Sequence, residues 1–100
     1  MRATADAIID QVCAGAGVPR HYLLHDTGRT CATLRGLCAD LMHQRAGLAW
    51  REIAVRLRYA DPTGARVAAL RWRVRRPLAG PWLRAIAEMA EAACRQDDAA

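Results

Sequence analysis

Phenylalanine, serine, asparagine and lysine are all missing from this chain, and aromatic residues make up only 5% of it. Without Ser or Asn, and with so few rings, there is little material for strands or hairpin turns. Cysteine is sparse too: the four residues contain no Cys-x-x-Cys pair, so neither a disulfide framework nor a zinc-ligand spacing is present. Cys31 and Cys38 stand about two helical turns apart on one face, too far to bond each other directly. Residues 1–18 carry Asp6 and Asp10 and no uninterrupted apolar run, so no secretory leader is expected there. No window approaches the ~20 apolar residues of a membrane span. A cytoplasmic setting with reduced thiols is therefore expected.

The same gaps bear on chemistry. Serine is unavailable as a nucleophile, no Cys–His pairing is specified, and Asp97-Asp98 sit in a terminal stretch that cannot shield a reaction from water. His21 and His25 have the i,i+4 spacing of metal ligands, but Cys31 and Cys38 fall on an apolar stripe and read as small hydrophobes. No enzyme, cofactor or metal site is expected.

What is present is alanine and arginine. Hydrophobic residues reach 53%, but 22 of them are Ala, so the core must be thin and helical. All 15 basic residues are Arg, against 10 acids. Codon bias in a GC-rich genome accounts for Arg over Lys, but not for where the arginines sit. Residues 1–44 are neutral overall, residues 45–84 hold ten Arg against Glu52 and Asp61 (+8), and residues 85–100 are −3. A basic block of that kind points to a polyanion partner.

Gly and Pro divide the chain into five or six helical segments. Residues 3–14 put Ile8, Ile9, Val12 and Cys13 on one stripe before Gly15 and Gly17. Val18-Pro19 opens a short helix to about Leu24. Thr30 to about His43 buries Cys31, Leu34, Cys38 and Leu41. Residues 48–58 turn Leu48, Ile53 and Leu57 inward and Arg51, Arg56 and Arg58 outward. After Tyr59–Pro62, a fifth helix from Thr63 to Arg76 has Val67, Leu70 and Val74 as its inward stripe. The last, residues 81–95, buries Trp82, Ile86, Met89 and Ala93 and pairs Arg84 with Glu88 and Glu91 with Arg95. The expected fold is all-α, a single compact bundle over residues 1–95, with residues 96–100 frayed.

Residues 48–76 read as helix, turn, helix with a basic end. In such a motif the second helix enters the major groove of DNA and reads base edges from its first turns. With Val67, Leu70 and Val74 inside, Thr63, Gly64, Ala65, Arg66, Ala69 and Arg73 face the groove. Small residues at 65 and 69 let the helix settle deeply, and Arg66 and Arg73 grip guanine or phosphate. Arg45, Arg51, Arg71, Arg75 and Arg76 are the expected phosphate contacts. Trp72 also falls on this outward arc, where it either packs beneath the last helix, the preferred reading, or meets a partner. Trp82 reads as core and Trp50 as half-buried.

The order of these features resembles the DNA-binding C-terminal domain of the bacterial replication initiator DnaA. "AIIDQVCAGAGVPRHYLL" is similar to its opening helix and Leu-Leu step, and "RTCATLRGLCADLM" to its long central helix. "GLAWREIAVRL" carries its Leu-x-x-x-Glu-Ile pattern at Leu48, Glu52 and Ile53, with Leu57 following. The version of the domain found beside some transposases also resembles this stretch, particularly at Arg35. The likeness spans about residues 5–76 and implies a stand-alone relative with a Trp-repressor-type helix-turn-helix. It further implies Arg29 as a minor-groove contact from a basic loop. The family's signature, Gly-Arg-Asp-His-Thr-Thr-Val, is departed from: with its Val placed on Val67, only that core position agrees.

Double-stranded DNA is thus the expected partner, in a replication-linked or transcription-regulatory role, with the protein a monomer or homodimer. The alternative is an adaptor that keeps the initiator-type fold and binds a replication or transcription protein through Trp72 or the acidic last helix.

Overall fold

Each helix begins and ends for a local reason. A computed structural model describes the backbone of residues 3–99 and the side chains of residues 3–95, and among these it has six α-helices and no strand. Helix α1 (Ala5–Ala16) starts where the Thr4 hydroxyl accepts the Ala7 N–H at 3.1 Å. It stops at Gly17, whose φ of 70° takes the chain into the left-handed region and returns its N–H to the Cys13 carbonyl. The short α2 (Arg20–His25) leads through a bend to α3 (Arg29–Gln44). Then come α4 (Trp50–Leu57), α5 (Pro62–Arg75), a 3₁₀ turn at Arg76–Leu78 and α6 (Pro81–Ala99). Asp61 caps α5 by accepting the Gly64 N–H at 2.8 Å, and Pro62 fills the first helical position, where no N–H is needed. Boundaries fall within about two residues of those expected, except that α6 continues through Ala99 where a frayed tail was expected. Ala100 lies outside the described residues.

Helix α3 is the axis of the fold and touches α1, α2, α4 and α5. Leu34, Leu37, Cys38 and Met42 are wholly buried along it. All four cysteines are buried and free, and burial pushes the Cys38 thiol far above its ordinary pKa. Helix α6 packs chiefly on α1, with Ile86 against Gly15.

Two faces differ from the sequence-based expectation. On α5 the buried residues are Ala65, Ala69 and Trp72, whereas Val67, Leu70 and Val74 lie in solvent. The cause is on α3. A Cβ on Gly36 would come within 2.7 Å of the Ala68 carbonyl oxygen and 3.4 Å of the Trp72 Cβ. At that approach only alanines fit between the two helices, with Trp72 closing the end. Apolar periodicity favoured the larger side chains; backbone proximity selects the smaller ones. Trp72 is therefore buried, but against α3 rather than beneath the last helix.

On α6, Ile86 is buried as expected, together with Ala87, Ala90 and Cys94, whereas Trp82 and Met89 are exposed. A helix resting chiefly on α1 buries a narrow arc, and small residues occupy it. The two i,i+4 pairs expected on α6 are also replaced. Glu91 pairs with Arg76, whose Nε donates to Oε2 at 3.0 Å, and Arg84 donates to the Ala79 carbonyl at 3.2 Å. Trp50 is half-buried as expected and stacks on His43, ring centroids 4.0 Å apart.

Gly36→Ala should lower stability by about 1–3 kcal/mol, the usual cost of forcing a carbon into a filled contact. Gly80→Ala, with nothing within 4 Å of its Cβ, should leave the urea midpoint nearly unchanged. A Gly36→Ala variant as stable as the parent would contradict the close α3–α5 contact.

Candidate nucleic-acid interface

Rotating α5 onto its alanine face changes what the helix presents. Along its solvent ridge run Thr63, Val67, Leu70 and Val74, with Arg66 and Arg73 on one flank and Arg71 and Arg75 on the other. Ala65 and Ala69, expected to face the groove, are 0% and 2% exposed and belong to the core. Thr63 and Arg66 are exposed, and Gly64 is half-buried in the first turn.

The expected phosphate contacts separate into two groups. Arg73 donates through Nε to Asp40 at 2.8 Å, and Arg76 is held by Glu91 in a part-buried pair, which pushes the Arg76 pKa further up. Both guanidinium groups are thus occupied within the fold. Arg51, Arg66 and Arg71 are exposed and in no ion pair among the described residues, and the same holds for Arg29 at the start of α3. Arg75 makes only a 3.4 Å contact with the Thr33 hydroxyl. Arg45 is half-buried at the C-terminal cap of α3.

Three of the open arginines converge. Arg29 and Thr33 on α3 face Thr63, Arg71 and Arg75 on α5 across a cleft of about 510 Å³. Asp61, the one acid on its lining, is engaged in capping α5. The position of Arg29 is set by Arg35, whose Nη1 donates to both the Leu23 and the Asp26 carbonyls at 2.7 Å. Those bonds, with the Gly28 N–H donating to the Asp26 carboxylate at 3.0 Å, fix the bend that delivers Arg29 to the first turn of α3. Arg35 is therefore a bracket rather than a contact residue.

Arg58 is an exposed cation that the sequence reading left out of the interface. It ends α4 at φ 64°, a left-handed position that usually takes glycine, so nothing in its local pattern marked it. Beside it, Tyr59 reaches the floor of the cleft. Burial pushes its phenol from the ordinary 10.0 up to about 12, opposed by the Arg35 guanidinium, which lies close to the hydroxyl but outside hydrogen-bond geometry. The Trp72 indole N–H, also against the cleft, is likewise unpaired.

Comparison with protein-family models, curated proteins and solved structures finds no match for this chain. No described helix is long and apolar enough to cross a membrane.

A buried phenol with a raised pKa stabilises the fold while it is protonated. Its contribution is complete below pH 10.0 and is lost as pH rises through about 12. Tyr59→Phe should therefore leave stability at neutral pH nearly unchanged, because no hydrogen bond is lost, and should flatten the decline over that alkaline window. A large loss at neutral pH in urea unfolding would show that the hydroxyl is bonded.

Proposed function

We propose that this protein binds duplex DNA, with the first turns of α5 in the major groove and the cleft between α3 and α5 against the phosphate backbone. The observation that carries this reading is the convergence of Arg29, Arg71 and Arg75 on one cleft, none of them in an ion pair among the described residues and Asp61 the single acid on the lining. A polyanion meeting that surface releases counterions at each phosphate contact. Thr63 and Arg66 would meet base edges, the arginine through the paired acceptors of guanine, and Val67 a thymine methyl group. Arg51 and Arg58 extend the basic surface along α4. Arg73 and Arg76, held by Asp40 and Glu91, are left out of the contact set.

The rotation of α5 also changes the register in which the initiator's signature can be laid on this chain. The core position of α5 is Ala65 rather than Val67. With the signature's Val placed on Ala65, Asp61 coincides with its Asp and Thr63 with its first Thr, while Tyr59, Ala60, Pro62, Gly64 and Ala65 itself differ from the Gly, Arg, His, second Thr and Val. Such a domain would retain the docking mode and read a different sequence. A replication-linked or transcription-regulatory role fits that picture. A protein-binding adaptor is the second reading, favoured by the apolar ridge at Leu70 and Val74.

Fluorescence anisotropy with a labelled random-sequence duplex across a salt titration tests the proposal. Log affinity should fall linearly with log salt, and Arg29→Ala or Arg66→Ala should each weaken binding and reduce the slope by about one. Arg76→Ala should lower stability more than affinity, since its partner is Glu91. Absence of binding at low salt, with the domain folded, would overturn the DNA reading and favour the adaptor.

A further inference from the structure

Two apolar stripes stand uncovered among the described residues, one on α5 bordered by Arg71 and Arg75 and one on α6 flanked by Glu88. On α5, Val67, Leu70 and Val74 are 37%, 47% and 74% exposed. Together with the stems of Arg71 and Arg75 they line a shallow depression of about 310 Å³. On α6, Trp82 and Met89 recur at helical spacing and are 51% and 57% exposed, with exposed Ala85 between them and exposed Glu88 beside them. Single exposed hydrophobes are ordinary on a protein surface, but stripes aligned along helices mark contact faces.

The charges settle the occupant. Arg71 borders the α5 depression and Glu88 borders the α6 stripe, and neither is in an ion pair among the described residues. Helix α5 itself holds Arg66, Arg71, Arg73 and Arg75 and no acid, whereas Glu88 is the unpaired acid beside the α6 stripe among the described residues. Complementary potentials of this sort select and orient a partner. Trp82 is also the residue type that most often anchors an interface when it meets an apolar pocket.

We propose that the two stripes are the two halves of one interface between copies of this chain. Trp82 of one copy enters the depression on α5 of another, with Glu88 set against Arg71. Because each copy carries both halves, two reciprocal contacts about a two-fold axis close a dimer, whereas one contact per copy propagates a chain. The inference does not rest on the DNA reading, but the depression shares Val67, Arg71 and Arg75 with the surface proposed for DNA, so self-association and DNA compete for that part of α5. Its far end at Val74 lies about 12 Å along the helix from Arg66 at 1.5 Å per residue.

Sedimentation equilibrium of the full chain, up to millimolar concentration, tests this. The parent should self-associate, and Trp82→Ala and Val74→Asp should each weaken association by about tenfold or more. Both positions are exposed, so circular dichroism and the melting temperature should hold. Arg71→Glu and Glu88→Arg should each be monomeric alone and associate when mixed, since every contact in the mixed pair is then either native or reversed in sign. A parent that stays monomeric throughout, leaving the ridge to some other acidic partner, overturns the proposal. So does association that persists unchanged in Trp82→Ala and Val74→Asp.

Discussion

The backbone of α5 lies so close to α3 that position 36 has no room for a side chain, and this one contact decides which residues the rest of the molecule can use. Glycine at 36 admits the Ala68 carbonyl, and the gap then accepts only Ala65 and Ala69, with Trp72 sealing the end. Once that face is committed, helical geometry points Thr63, Val67, Leu70 and Val74 outward, with arginines along both sides. The cleft beside α3, the basic surface and the apolar ridge all follow from that rotation.

A second constraint acts through charge. The basic block of the sequence is not uniformly available. Acids outside the block hold several of its members: Asp6 reaches Arg56 at 3.8 Å and, more closely, Asp40 takes Arg73 and Glu91 takes Arg76. The last two pairs fasten the C-terminal end of α5 to α3 and α6. A salt bridge with such partial exposure contributes modestly to stability; its other effect is to occupy a guanidinium that would otherwise face solvent. Arg29, Arg66 and Arg71 are left to face solvent, and Arg35 holds the bend that brings Arg29 to the same cleft as Arg71. The basic cleft is thus assembled from residues far apart in the chain by contacts within the fold.

Much of this was legible in the sequence, and the misses have a common origin. The all-α architecture, the helix boundaries, the buried stripes of α1 and α3 and the helix-turn-helix of α4 and α5 follow from Gly, Pro and apolar spacing. The orientation of α5 does not, because the helix has apolar residues on both sides and periodicity ranks Val67, Leu70 and Val74 above alanines. Only the partner's Gly36 resolves the choice, and a pattern read along one segment cannot contain it. Trp82 and Met89 were misplaced for a related reason: a helix resting on one neighbour buries less than its apolar content allows. Arg73 and Arg76 were read as contacts because their acids, Asp40 and Glu91, lie on other helices. Thr63, Arg66 and Arg71 need no such tertiary information, whereas Arg29 joins them in the candidate site through the bend that Arg35 holds.

The measurement that bears most directly on this account is amide chemical-shift mapping of the labelled protein titrated with a short duplex at low salt. If α5 is oriented by Gly36 and docks through its first turns, the shifts should concentrate at residues 29–33 and 61–67, with smaller changes at 71 and 75. Shifts confined to α6, or spread evenly over every exposed arginine, would contradict it.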